Sequence, residues 1–169
     1  MINEQAVSND RPLAVIASNS SRDSYKLAQQ FAENGYDIII TAVNPSVVEE
    51  AEDLKDFGVE AVSFQFDLST PEGVEMLYKK IVATGRPVEA IAISTGMSED
   101  LATVELLATK VLKDMQMQNK GRILIAGIDN EDEVDELSDS LKGLAEGSGI
   151  TVHTLQPGNS EISFLRKLH

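Results

Sequence analysis

The sequence contains no cysteine, and this absence excludes disulfides, a thiolate nucleophile and cysteine-ligated zinc. It has no apolar run close to the roughly 18 residues that a membrane-spanning helix needs. Residues 1–5 have neither the basic nor the apolar region of a secretory signal. We therefore expect a cytoplasmic protein.

Basic residues are scarce, because 14 lysines and arginines stand against 28 aspartates and glutamates, which gives a net charge of −14. An acidic surface of this kind repels nucleic acid and anionic lipid, so we expect neither a nucleic-acid partner nor a membrane partner. The same charge opposes an anionic cofactor unless local groups overcome it.

Metal ligands in a recognisable pattern are also lacking. The two histidines, His153 and His169, are too isolated to suggest a shared site. The acidic run 129–139 has neither the glycine nor the spaced glutamate of an EF-hand, and it is better explained as a solvated helix start. We predict no metal site.

What the sequence does contain is a regular alternation of short apolar runs with segments of helical period, which is typical of a parallel sheet covered on both faces. We expect residues 1–11 to form a flexible segment and residues 12–169 to form one domain. The predicted strands are 13–18, 37–42, 61–66, 90–94, 122–126 and 150–155.

Five amphipathic helices are predicted between these strands, each with its apolar stripe facing the sheet. The stripes are Leu27, Ala28, Phe31 and Ala32; Val48, Ala51 and Leu54; Leu77 and Ile81; Val104, Leu107, Val111 and Met115; and Val134, Leu137, Leu141 and Leu144.

Helix ends are marked by characteristic residues. Ser46 with Glu49 matches a capping box, and Thr70 before Pro71 matches an N-cap followed by proline at the first helical position. Glycine, which takes the left-handed conformation at low cost, is expected to close the five helices at Gly35, Gly58, Gly85, Gly121 and Gly147.

These features predict a three-layer, doubly wound α/β domain with a six-stranded parallel sheet. Right-handed crossovers and six alternating units favour the strand order 3-2-1-4-5-6 over 2-1-3-4-5. In either order a ligand site is expected at the carboxyl ends of the strands.

The strand ends carry motifs that resemble those of the short-chain dehydrogenase/reductase family, in family order and spacing. Residues 15–24 lie where the family has its T-G-x-x-x-G-x-G turn, and residues 120–125 and 149–158 are similar to its G-R-I and G-I-x-V…P-G segments. Asp67-Leu68-Ser69 resembles the motif that contacts adenine, and Ile93-Ser94-Thr95-Gly96 resembles N-N-A-G. The resemblance implies a Rossmann-like fold and NAD(P) as cofactor. It makes the candidate cofactor-binding residues Ser18, Ser20, Ser21, Arg22, Asp67, Leu68, Ser94 and Gly96.

The phosphate-binding turn departs from the family pattern. Ser18, Arg22 and Ser24 replace its three glycines, and side chains at the first two positions are expected to crowd a pyrophosphate. Serine hydroxyls, the arginine and the helix dipole still offer donors to an anion, and a simple helix cap is the alternative interpretation. Val43-Asn44, after the second strand, favours neither NAD nor NADP.

Asp67 also has two interpretations, because it either accepts a hydrogen bond from an adenine or ends a strand and helps to cap the next helix.

No tyrosine is followed four residues later by lysine, although the family uses that pair to protonate its substrate carbonyl. The corresponding residues are Gln29 after Tyr25, Ile40 after Tyr36 and Val82 after Tyr78. The segments that build the family's substrate pocket are also short. We predict no catalytic residue.

The main hypothesis is a short-chain-dehydrogenase-like pseudoenzyme that binds a nucleotide, with NAD(P) held weakly, or another protein. One alternative is a functioning NAD(P)-dependent oxidoreductase of the same family. The other is a receiver-like phosphoacceptor domain. Such a domain requires an acidic pair after strand one and a lysine after strand five, and this sequence has neither.

A monomer or a weak homodimer is expected. The family pairs the helices that flank strand five across a two-fold axis, and here the fifth helix carries an acidic outer face, Asp132, Asp135, Glu136 and Asp139. Apolar residues available on the outside of the fourth helix are Leu106, Leu112 and Met117.

Overall fold

The computed structural model describes residues 11–19, 21–94, 101–126 and 131–155, together with residues 162 and 165. Most of the predicted flexible segment, residues 1–10, therefore lies outside the described residues. The elements in chain order are β1 (Leu13–Ala17), α1 (Ser21–Glu33), β2 (Asp37–Ala42), α2 (Val47–Leu54), a 3-10 turn (Lys55–Phe57), β3 (Ala61–Gln65), α3 (Pro71–Ala83), β4 (Val88–Ser94), α4 (Leu101–Gln118), β5 (Gly121–Ala126), α5 (Glu131–Ala145) and β6 (Ile150–Leu155).

The six strands form one parallel sheet in the order β3-β2-β1-β4-β5-β6, which confirms the predicted strand order. β1 lies at the centre, between β2 and β4, and all its residues are buried. A receiver-like domain has the order 2-1-3-4-5, so the observed order contradicts that alternative.

Alternate residues of the strands point to opposite faces of the sheet and form two separate cores. Val15 and Ala17 belong to a core that α3, α4 and α5 cover, whereas Ala14 and Ile16 belong to a core that α1 and α2 cover. The molecule therefore has the three predicted layers, with helices packed on both faces of its sheet.

Two of the predicted stripe residues do not face the sheet. Val48 is 53% exposed because α2 begins at Val47, which is fully buried and takes the core position. Leu144 is 52% exposed because Ala145, four residues after Leu141, lies nearer to the centre of the buried stripe.

Leu112, expected on the outer face of α4, is buried as well. It is only 2% exposed and belongs to the core, because α4 is packed between α3 and α5 and so buries more than a single stripe.

The helix cap predicted at the start of α3 is formed, whereas the capping box predicted at the start of α2 is not. Thr70 Oγ1 accepts a hydrogen bond from the Gly73 N–H at 3.0 Å, as predicted for the start of α3. The Ser46–Glu49 capping box is not formed. Ser46 makes no side-chain cap bond, since its backbone is already helical, and Asn44 Oδ1 accepts the Ser46 N–H at 3.0 Å instead.

The end of α4 also differs from the prediction. Asn119 takes the left-handed conformation with φ 62°, and Gly121, the predicted closing residue, opens β5. Gly121 has φ 155°, which strains residues with a side chain, and a Cβ there would also collide with the side chain of Met115, so both its backbone conformation and its packing favour glycine. The other predicted closing glycines, Gly35, Gly58, Gly85 and Gly147, have the expected positive φ.

Among the helices in the described parts of the chain, none is long and apolar enough to cross a membrane.

Candidate functional site

The candidate site lies at the edge of the sheet where the strands have their carboxyl ends. Ser18 directly follows β1, Ser94 ends the neighbouring strand β4, and Asp67 with Leu68 follows β3. Sequence reasoning therefore placed these four residues at one edge correctly.

The other candidate residues are only partly described. Ser20 and Gly96 lie outside the described residues. Ser21 and Arg22 are the first two residues of α1, so they stand at the positive end of a 13-residue helix, and their side chains are not among those described.

Thr41 fixes the backbone at Ser18. The Ser18 N–H donates to Thr41 Oγ1 at 3.1 Å, and the Thr41 hydroxyl donates to the Ser18 carbonyl at 3.0 Å. Both residues are almost completely buried. The first family glycine position is therefore occupied by a serine whose backbone is joined to β2.

Asn19 bridges the ends of β1 and β3, and it is a site residue that sequence reasoning missed. Its Nδ2 donates to Asp67 Oδ1 at 3.3 Å, and its Oδ1 accepts the Leu68 N–H at 3.0 Å. Its carbonyl accepts the Val43 N–H at 3.3 Å. The signal for it was an amide side chain just after β1, combined with a strand order that leaves only β2 between β1 and β3.

Ser69 also holds the carboxylate of Asp67. The Ser69 N–H donates to Asp67 Oδ1 at 3.0 Å and the Ser69 hydroxyl at 2.6 Å. These two bonds, followed by a smaller effect of the Asn19 amide, lower the pKa of Asp67, so this exposed carboxyl is ionised at neutral pH. The turn-forming interpretation of Asp67 is thus visible in the structure, and it does not remove the negative charge from the edge.

Gly73, near the start of α3, packs against the backbone of Asp67. A Cβ at Gly73 would lie 1.9 Å from the Asp67 carbonyl oxygen, so α3 begins in direct contact with the backbone of Asp67. The Asp67 carbonyl also accepts the Thr70 hydroxyl at 3.1 Å, which ties the end of β3 to the start of α3.

The three tyrosines lie in different parts of the fold. The Tyr78 hydroxyl donates to Asp114 Oδ2 at 2.8 Å between α3 and α4, and Tyr36 lies before β2, at the opposite edge, with its ring 5.1 Å from that of Phe31. Tyr25 lies on α1 beside the acidic residues of α2.

The pKa of each of these tyrosines is raised above the ordinary value of a phenol. Burial is the largest cause of the raised pKa at all three, and nearby carboxylates raise the pKa of Tyr25 and Tyr78 further, whereas at Tyr36 the charge of Arg122 partly offsets burial. A phenol that exchanges a proton near neutral pH needs a lowered pKa.

The part of the chain that the structure describes holds no group of three or more histidine, aspartate or glutamate side chains able to bind a metal ion. His153 lies on β6, where burial, with a smaller effect from Arg122 and Lys142, lowers its pKa.

Comparison with known proteins gives the family. Residues 23–127, more than half of the chain, match the family described as short chain dehydrogenase. No curated protein sequence matches the chain.

Solved structures share its fold at low sequence identity. L-sorbose reductase from Gluconobacter frateurii, complexed with NADPH and L-sorbose, is 20% identical with a TM-score of 0.76, over 88% of this chain and 69% of that chain. A 7α-hydroxysteroid dehydrogenase complexed with NADH and 7-oxo glycochenodeoxycholic acid is 13% identical with a TM-score of 0.76, over 90% and 73%. NAD⁺-bound xylitol dehydrogenase is 17% identical with a TM-score of 0.70, over 87% and 69%. The family match and the shared six-stranded fold establish that the chain belongs to the short-chain dehydrogenase family.

Proposed function

We propose that this chain is a dinucleotide-binding member of the short-chain dehydrogenase family that does not transfer hydride through a tyrosine–lysine pair. The observation that carries the proposal is a contrast within one molecule. The strand-end residues Asp67 and Leu68 are in place, whereas no tyrosine in the sequence precedes a lysine by four residues.

The binding half of the proposal is supported by the chemistry of the strand ends. An ionised carboxylate and a backbone N–H stand side by side at Asp67 and Leu68, which suits a base with a donor next to an acceptor. α1 begins after β1, so its positive end faces the place where a pyrophosphate would lie. Three of the structural neighbours are complexed with NADPH, NADH or NAD⁺.

We also propose that the affinity for NAD(P) is weak. The net charge of −14 opposes an anionic ligand, and Ser18 and Arg22 stand where the family has glycines that let the pyrophosphate approach.

Thermal unfolding with NADH, NADPH, NAD⁺ and NADP⁺ at millimolar concentration tests binding. A ligand present at ten times its Kd stabilises the folded protein by about 1.4 kcal/mol. Arg22→Glu, at the start of α1, should reduce the ligand-induced shift in Tm, because two units of negative charge are added next to the phosphates.

Lys26→Glu is the matched control, since it makes the same change of charge on an exposed residue one helical turn further along α1. Equal effects of both substitutions would contradict binding at the end of α1. No shift with any of the four dinucleotides would contradict dinucleotide binding altogether and favour a protein ligand.

The proposed absence of hydride transfer is tested by following the absorbance of NADPH and NADH in the presence of a panel of ketones and aldehydes. We expect no oxidation above the rate without protein. The family match favours the second candidate, a functioning NAD(P)-dependent oxidoreductase. Turnover that is lost in the Ser94→Phe variant, which fills the end of β4, would establish that candidate instead.

A further inference from the structure

We infer that Asn19 acts as an internal ligand, whose carboxamide occupies the pair of hydrogen-bonding groups that would otherwise contact the adenine of a dinucleotide. This inference rests on the proposed function and adds to it the residue that limits affinity. The groups concerned are the Asp67 carboxylate, which accepts, and the Leu68 N–H, which donates.

The two groups form an acceptor next to a donor, and their natural complement is a donor next to an acceptor. Adenine has that arrangement, since its 6-amino group donates and the adjacent ring nitrogen N1 accepts. A primary carboxamide has the same arrangement, with Nδ2 donating and Oδ1 accepting. Asn19 places Nδ2 at 3.3 Å from Asp67 Oδ1 and Oδ1 at 3.0 Å from the Leu68 nitrogen, so it satisfies both groups at once.

Competition is strict at the Leu68 N–H. A carboxylate has lone pairs for several donors, and Asp67 Oδ1 already accepts from Ser69 as well as from Asn19. A backbone N–H has a single hydrogen, so an adenine N1 can bind it only after Asn19 Oδ1 has left. The nucleotide must therefore displace the carboxamide.

Displacement does not require the turn to unfold. The backbone of Asn19 is held independently, because its carbonyl accepts the Val43 N–H, and Thr41 fixes the preceding Ser18. Asn19 is only half-buried, and rotation of its side chain towards solvent would break its bonds to Asp67 and Leu68 without breaking those backbone bonds. The carboxamide thus behaves as a displaceable side-chain ligand on a fixed backbone.

The test measures NADH binding by calorimetry for the wild-type chain and for the variants Asn19→Ala and Asn34→Ala. Asn34 is the matched control, because it undergoes the same substitution at the far end of α1, where its Nδ2 donates only within that helix turn, to the Gln30 carbonyl. We expect Asn19→Ala to bind NADH about tenfold more tightly, as two hydrogen bonds no longer have to be broken, and Asn34→Ala to match the wild type.

A second ligand separates hydrogen bonding from simple opening of space. The hypoxanthine analogue of NADH carries an oxygen in place of the amino group and a hydrogen on N1, so its edge is reversed and cannot pair with Asp67 and Leu68. The gain on Asn19→Ala should be confined to NADH. An equal gain for both ligands would overturn the inference, because it would show that the substitution merely removed bulk.

A measurement without nucleotide provides an independent check. Amide hydrogen exchange at Leu68 should be slow in the wild type and faster in Asn19→Ala, since the substitution removes the Leu68 acceptor. Unchanged exchange would overturn the inference whatever the binding data show.

The remaining outcomes distinguish this inference from the proposed function. If the wild type and Asn19→Ala bind NADH equally, the inference is wrong and the proposed function stands. If neither binds any dinucleotide, both are wrong.

Discussion

Thr41 is a residue whose single hydroxyl group holds two neighbouring strands together beneath the candidate site. It accepts from the Ser18 N–H and donates to the Ser18 carbonyl in a buried position. We predict that Thr41→Val, which keeps the shape and removes both bonds, lowers the free energy of unfolding by about 1–3 kcal/mol. Urea denaturation measures this change.

Thr109→Val is the control for that substitution. The Thr109 hydroxyl bonds only to the Glu105 carbonyl of its own helix, so its loss should change stability by less than about 0.5 kcal/mol. Similar losses for both variants would show that the strand-joining role of Thr41 contributes nothing measurable.

The lowered pKa of His153 predicts that the stability of the fold depends on pH below neutrality. Burial lowers its pKa from 6.5 in the folded state, so the unfolded chain binds a proton more readily as the pH falls. The stability that this residue contributes is present above pH 6.5 and is lost as the pH falls towards its folded pKa.

We therefore predict that, as the pH is lowered from about 7.5 to 5.5, the Tm of His153→Gln falls less than the Tm of the wild type. Parallel Tm profiles for the two proteins over that interval would contradict the assignment of this pH dependence to His153.

At the scale of an element, the first turn of α3 contains a glycine, Gly73, whose surroundings leave no space for a side chain. A Cβ at Gly73 would overlap the Asp67 carbonyl, whereas a Cβ at Gly143, in α5, would meet nothing within 4 Å. We predict that Gly73→Ala destabilises the protein by about 1–3 kcal/mol through overpacking. Gly143→Ala should stabilise it by about 0.5–1 kcal/mol through helix propensity.

Denaturation of both variants in urea is the measurement. A Gly73→Ala variant as stable as Gly143→Ala would mean that α3 can move away from Asp67 without cost.

The elements themselves were largely predictable, because buried parallel strands leave a local signal. Runs such as residues 38–40 are apolar without alternation, as a strand covered on both faces must be, and the predicted bounds of the strand, Asp37–Ala42, match the structure. The sequence-based predictions are wrong where the local structure depends on packing between different elements. Gly121 is favoured by its φ of 155° at the start of β5 and by the nearby Met115 side chain, and no local pattern conveys that contact.

The site was predictable only in part, for a related reason. Asp67 and Ser94 were found because strand ends share one edge, whichever residues occupy them. The bridge from Asn19 to Asp67 spans 48 residues of sequence and depends on β2 being the single strand between them. Such a contact follows from the folded arrangement and cannot be seen in either segment alone.

At the scale of the whole molecule, charge opposes the two-fold pairing that the family builds around β5. Asp132, Asp135, Glu136 and Asp139 are all exposed on α5, and a two-fold contact would bring two copies of that face together. Burial of Leu112 leaves α4 with less apolar surface for such a contact than its sequence suggested.

We predict a monomer, or a weak homodimer that strengthens with salt, because salt screens like charges. Light scattering during size-exclusion chromatography at about 20 mM and 500 mM NaCl measures this, over a range in which the screening length falls severalfold. A dimer that persists at the lower salt concentration would contradict the prediction.

The central position of β1 has a consequence for synthesis on the ribosome. One side of β1 pairs with β2, which follows it soon in the sequence, but the other side pairs with β4, which begins at Val88, about 70 residues after β1 ends. At about 5–20 residues per second, the second side of this wholly apolar strand waits roughly 4–14 s for its partner. During that interval the nascent chain presents an unpaired strand edge, the kind of surface to which other nascent chains add. The free edge of β1 is therefore an aggregation risk until β4 has been synthesised and has paired with it.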